Sequence, residues 1–196
     1  MFLPQLLKNY KVVLGSGSPR RKELLASMDI NFEQRVKEVN EDILPSWKTE
    51  EVAQKLAEKK AQAQQKELQQ DEILITSDTV VVIDEKILGK PQNTDEAKQM
   101  LALLSNKKHL VITGVCICSK DKLHSFSDTT EVFFKELSEA EIDYYVQHYK
   151  PFDKAGSYGA QEWLGMVGVE RINGSYFNVM GLPVHKLYKE WSYFLS

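Results

Sequence analysis

The run ILITSDTVVVI, residues 73–83, constrains this chain more than any other segment. It is apolar or β-branched almost throughout and reads as a buried strand. Asp84-Glu85 then turns the chain back into KIL, a short hairpin partner. One residue resists this environment. Asp78 lies in the middle of the run, where aspartate is disfavoured and a carboxylate must be hydrogen-bonded, paired or bound to a metal. It is either a structural aspartate satisfied by backbone amides at a bulge or a functional carboxylate, and the functional reading is the stronger.

The rest of the chain alternates strand and helix signals. Strands are expected at 11–15, 32–36, 109–118 and 123–134, and helices at 19–28, 49–68, 94–104, 138–148 and after Pro183. Thr49, Thr94 and Ser138 are the expected caps of the second to fourth helices. The stretches MVGVERI and SYFNVMG read as strand-like. Mixed α and β elements over 196 residues suit one domain or two small lobes.

Net charge is −3, so no basic field draws the whole protein to nucleic acid or to an anionic membrane, and any anion site must be local. Cys116 and Cys118 share one face of a strand, which makes a mutual disulfide unfavourable, and no His or Cys cluster completes a tetrahedral metal site around them. Reduced, buried thiols in a cytoplasmic protein are expected. The opening MFLPQLLKNY is too short and interrupted for a signal peptide, and no apolar run approaches a membrane span.

A local anion site is visible in SGSPRRKELL, which follows the apolar VVL. Ser18 suits a cap and Pro19 the first helical position. Arg20, Arg21 and Lys22 then crowd the electropositive end of a helix, against the macrodipole. A phosphate held by Ser16, Ser18, the first backbone amides and the guanidiniums resolves that conflict. The alternative is solvated surface charge. Neither a Walker loop nor a dinucleotide fingerprint is present.

Three further segments carry chemistry. On the 49–68 helix, Lys60 extends the stripe of Val52 and Leu56, so it either snorkels to solvent or reaches an anion, whereas Lys59 faces solvent. Lys90, in the tight LGKP, can fold back toward Asp78. The acidic loop KEVNEDILP offers Glu38, Glu41 and Asp42, and Glu41 paired with Asp78 can hold a hard cation together with substrate phosphates. In PFDKAGSYGAQ, Gly156 and Gly159 permit a sharp turn, Lys154 adds a cation, and Gln161 supplies an amide able to read a base edge. Trp163, Tyr176 and Phe177 are expected in the core or at an interface.

Taken in order, LGSGSPRRKELL, LAEKKA, SDTVV, LGKP, TGV, DKAGSYGAQ and INGSYFNVMGLP resemble the Maf family of nucleotide pyrophosphatases, also called septum formation proteins. The resemblance runs from about Val12 to the final helix. It implies an α/β fold shared with inosine triphosphate pyrophosphatases: a mixed, elongated sheet flanked by helices, with a cleft between two lobes of one domain spanning 1–196. It implies cleavage of a nucleoside triphosphate to monophosphate and pyrophosphate, with magnesium or manganese. The family's catalytic aspartate falls on Asp78 and its phosphate-binding residues on Arg20, Arg21, Lys60 and Lys90, with Ser16 or Ser18. Its acidic-loop glutamate falls on Glu41, with Glu38 as the alternative, so that Glu41 and Asp78 are the metal candidates. The branch acting on dTTP, UTP and modified uridine nucleotides carries the residues found here as Arg20, Thr79 and Gln161. The 7-methyl-GTP branch carries Trp, Gln and Glu instead. Two departures, Gly15 for alanine and Asn106 for glycine, are expected to be harmless. A homodimer fits the resemblance. A nucleotide-sensing regulator of cell division acting through a partner is the rival reading, and stable nucleic-acid or membrane association is not expected.

Overall fold

The structure, a computed structural model, describes residues 2–196. In chain order the elements are α1 (Leu3–Leu6), β1 (Lys11–Leu14), α2 (Pro19–Ala26), β2 (Phe32–Gln34), α3 (Val52–Gln65), β3 (Glu72–Ile83), β4 (Lys86–Leu88), α4 (Thr94–Leu104), β5 (Lys108–Cys118), β6 (Leu123–Phe134), α5 (Glu139–Tyr149), α6 (Trp163–Gly168), β7 (Val169–Asn173), α7 (Tyr176–Val179) and α8 (Val184–Leu195). The seven strands form one mixed sheet in the order β2-β1-β3-β5-β6-β7, with β4 also paired to β3. β1 runs parallel to β2 and to β3, while the β3–β4 and β6–β7 pairs are antiparallel. The β3–β4 hairpin turns on Asp84 and Glu85, both with positive φ, the conformation that a two-residue turn needs to match strand twist.

The chain divides into two compact units, and β3, β5 and β6 each contribute residues to both. The first unit holds residues 1–78, 113–128 and 181–196. Its core joins Val13 of β1, Leu74 of β3 and Cys116 and Cys118 of β5 to Ala57 and Ala61 of α3. Small residues let the helix approach closely. A Cβ at Gly114 would lie 2.3 Å from backbone atoms of Ala53 and Gln54, so only glycine admits α3 at that distance. Both cysteines are free and buried, and burial pushes the Cys118 thiol up to about 11 and that of Cys116 higher still, which leaves both uncharged.

The second unit holds residues 79–112 and 129–180. Its core packs Val81 and Ile83 of β3, Val132 and Phe134 of β6, Leu101 and Leu104 of α4, and Ile142 and Tyr145 of α5. Ser138 and Glu141 form a reciprocal capping box at the start of α5. Asn106 has φ of 54°, a conformation that asparagine tolerates, and the turn there is formed.

Four expectations are corrected. SYFNVMG is not a strand: Tyr176–Val179 is a helical turn capped by the Ser175 side chain, which accepts from the Asn178 amide. In MVGVERI, the first residues close α6 and only Val169–Asn173 forms β7. Asn93, not Thr94, caps α4 through a bond from the Glu96 amide. Thr49 opens a 3-10 turn ahead of α3 and makes no capping bond. A Cβ at Gly15 would meet Thr76 Cγ2 at 2.8 Å, so in this chain the space an alanine needs is already filled.

Candidate active site

The first unit gathers most of the expected site. β1 ends at Leu14, and the Gly15 amide still donates to Ile75 of β3, 2.8 Å. The chain then leaves the sheet and enters α2 at Pro19. Ser16 is the hub of this loop. Its buried Oγ accepts from the Ser18 amide at 3.3 Å and from Arg21 Nη1 at 3.2 Å, and its carbonyl accepts from Gln34 Nε2 at 2.7 Å. Ser18 occupies the N-cap position of α2 but its side chain makes no capping bond, which corrects the expectation that it caps the helix.

Arg21 is held from two sides. Besides Ser16, its Nε donates to the carbonyl of Gly181 at 2.9 Å. That same carbonyl accepts from Ser77 Oγ at 3.2 Å, so one oxygen ties α2 to the residue preceding Asp78. Gly181 adopts φ of 107°, open to glycine and disfavoured for other residues. Desolvation lowers the Arg21 pKa, opposed by Asp78, reinforced by Arg20, and opposed again by Glu41. Arginine remains charged through such a shift, so Arg21 is a poorly hydrated cation with fixed geometry.

Lys60 arrives from α3. Thr76 Oγ1 donates to the Ala57 carbonyl at 2.7 Å, which fastens β3 to the helix one turn before Lys60 and two residues before Asp78. Lys60 Nζ contacts Asp78 Oδ1 directly and lies 2.9 Å from Glu41 Oε1. Of the two sequence readings for this lysine, reaching an anion is the observed one. Glu41, and not Glu38, is the acidic-loop residue paired with it. The unit therefore brings together Ser16, Arg21, Lys60, Asp78 and Glu41, with Ser18 and Arg20 at the same helix start. Such an arrangement can bind a polyanion through its cations while presenting a carboxylate to a nearby proton donor.

Asp78 and Glu41 are hard oxygen donors of the kind that hold magnesium or manganese jointly with phosphate oxygens. Among the described residues no cluster of three or more His, Cys, Asp or Glu forms a metal cage.

The remaining predicted residues belong to the second unit. Thr79 follows Asp78 along β3. Lys90 is exposed, and the preceding Gly89 carbonyl accepts from the Gly156 amide at 3.0 Å, which joins LGKP to the glycine-rich loop. Gln161 is partly buried, and its Oε1 is buried with no hydrogen-bond partner among the described residues. Lys154 is buried and paired to Asp153 at 2.7 Å and Glu162 at 3.0 Å, so its charge is neutralised within the loop. Sequence reasoning missed Gly181, Ser77 and Gln34 as supports of the anion loop. For Gly181 and Ser77 the only signal was their place within the motifs MGLP and SDTVV.

A family described as "Maf-like protein" matches residues 11–193. The dTTP/UTP pyrophosphatase of Phocaeicola vulgatus is 52% identical over 185 residues, covering 94% of this chain and 96% of that protein. That of Porphyromonas gingivalis is 52% identical over 187 residues, covering 94% of each. That of Flavobacterium johnsoniae is 48% identical over 187 residues, covering 95% of this chain and 96% of its own.

Proposed function

The chain belongs to the Maf-like protein family, and from that premise we propose that it hydrolyses dTTP and UTP, and modified uridine triphosphates, to the monophosphate and pyrophosphate. The observation that carries this reading is the cation group of Arg20 and Arg21 at the start of α2 and Lys60 from the middle of α3, with Lys60 paired directly to the β3 carboxylate Asp78.

Arg21, held by Ser16 and Gly181, offers the triphosphate a cation that needs little reorganisation. Arg20, Lys60 and Lys90 neutralise further phosphate oxygens, and the Ser16–Ser18 loop orients them. Lys60 exchanges part of its contact with Glu41 and Asp78 for the incoming anion. Asp78 then accepts a proton from the water that attacks the α-phosphorus, the bond from that phosphorus to the bridging oxygen breaks, and pyrophosphate leaves. A magnesium or manganese ion held by Asp78 and Glu41 supplies charge neutralisation of the phosphates when bound. Thr79 and Gln161 act in selecting uracil or thymine.

Incubation with dTTP, UTP, CTP and 7-methyl-GTP in magnesium, with pyrophosphate release as the readout, tests the reading. Turnover of dTTP and UTP well above the other two is expected. Tight binding of all four with no release sinks the hydrolase reading and supports a nucleotide sensor.

A further inference from the structure

We propose that Tyr145, Glu162 and Lys154 form a buried clasp that fixes the backbone turn carrying Gln161, making Tyr145 and Glu162 positioning residues for base selection. The proposal rests on the reading that Gln161 contacts the base.

All of the clasp lies in the second unit. The Tyr145 phenol, on α5, is fully buried. Its oxygen accepts from the Gly159 amide at 3.0 Å and donates to Glu162 Oε2. The Glu162 amide in turn donates to the Gly159 carbonyl at 3.0 Å. One phenol therefore holds both ends of the turn Gly159–Glu162. The second carboxylate oxygen of Glu162 takes Lys154 Nζ at 3.0 Å, and Lys154 also pairs with Asp153 at 2.7 Å. Burial, then the hydrogen bond to Glu162, push the Tyr145 pKa up, so the phenol stays a donor.

Two glycines make room for this arrangement. A Cβ at Gly159 would lie 2.9 Å from the Glu162 carboxyl carbon, and a Cβ at Gly165 would lie 2.1 Å from the Ala160 carbonyl oxygen. Residues 159 and 162 are thus each held by a named hydrogen bond. Residue 161 is the exception: the Gln161 Oε1 atom is buried and has no hydrogen-bond partner among the described residues. A buried acceptor without a donor is costly, and a bound ligand that supplies the donor removes that cost. Uracil and thymine carry an imide N3–H that can do so. Cytosine presents an acceptor at N3 and leaves the carbonyl unpaired. Discrimination of this kind depends on holding the polar atom within a fraction of an ångström, which is what the clasp provides.

The test compares kcat/KM for UTP against CTP in the whole enzyme and in Gln161→Ala, Glu162→Gln and Tyr145→Phe. The UTP/CTP ratio is expected to fall about 10-fold or more in all three, and in Glu162→Gln and Tyr145→Phe chiefly through the KM for UTP, with kcat at saturation within a few-fold of the parent. A lowered melting temperature with an unchanged ratio in Glu162→Gln and Tyr145→Phe, while Gln161→Ala collapses the ratio, overturns the clasp but leaves the base-reading role intact. An unchanged ratio in Gln161→Ala overturns the base-reading role and the clasp with it. If Tyr145→Phe does not fold, Glu162→Gln, of nearly equal size, decides the matter alone.

Discussion

Two lysines in this protein are each flanked by two carboxylates, and they are put to opposite uses. Lys60 in the first unit bridges Asp78 and Glu41, and Lys154 in the second bridges Glu162 and Asp153. The side chains of Lys60 and Asp78 are each 14% exposed and that of Glu41 is 50% exposed, so an anion can compete for Lys60. Lys154 is 8% exposed, and its partner Glu162 is committed a second time to the Tyr145 phenol. The carboxylates around Lys154 are exposed to a similar degree, Glu162 20% and Asp153 56%, so it is the more buried lysine and the tyrosine bond that make the second pair the closed one and the first the open one. Charge composition is nearly the same in both. What differs is that one carboxylate of the second group is also tied to a further buried side chain, the Tyr145 phenol. A reactive group needs an exchangeable neighbour, and a positioning group needs a full complement.

The largest effect is expected where the open pair is disarmed. Asp78→Asn should lower dTTP turnover by about 10³-fold, the range for loss of a positioned proton acceptor, with an unchanged far-ultraviolet circular dichroism spectrum. Normal turnover in this variant would refute the assignment of Asp78. Next comes the direct contrast of the lysines. Lys154→Met should cost about 1 to 3 kcal/mol in urea unfolding, because it leaves the partly buried Glu162, already bonded to Tyr145, short of its cation. Lys60→Met should cost a similar amount, about 1 to 3 kcal/mol, since Asp78 is 14% exposed and Glu41 half-exposed, but in addition lower kcat/KM for dTTP by about 10- to 100-fold through lost phosphate contact. Equal stability losses with equal activity losses would erase the distinction between an open and a closed pair.

The smallest effect sharpens the picture of the second unit as a region whose interior tolerates no new charge. His109 is buried against Phe134 and Tyr158, its Nε2 shares a hydrogen bond with the Tyr158 hydroxyl at 2.8 Å, and desolvation lowers its pKa to about 4. The folded state therefore binds this proton less readily than the unfolded chain, whose histidine titrates near 6.5. Stability from this group is complete above that value and is lost as pH falls from about 6.5 toward about 4, by at most about 1.4 kcal/mol per pH unit. His109→Gln should flatten that part of the urea-midpoint profile. A profile unchanged by the substitution would show that His109 is not its source.

Much of this was legible before any coordinates, for reasons tied to particular residues. The 73–83 run announced β3 because eleven consecutive strand-compatible residues suit no other element, and Asp78 stood out as the one charge inside it. The capping box at Ser138 was readable because cap chemistry is local. SYFNVMG was misread because aromatic and β-branched residues favour strands, whereas the turn there is decided by Ser175 capping and by Asn178, whose buried amide donates to Val111 and Thr130. The anchors of Arg21 and Glu162 were beyond reach for the same reason: Gly181 is 160 residues from Arg21, and Tyr145 is 17 from Glu162.

By itself, then, the order of residues determined the secondary elements with strong periodicity or local caps, the family, and the cast of charged side chains, because each of these is written in neighbouring positions. Only the tertiary structure decided which charges are closed off and which stay exchangeable. That depends on burial and on partners brought together from distant segments, and solvent exclusion is a property of the packed chain that no short window of sequence contains.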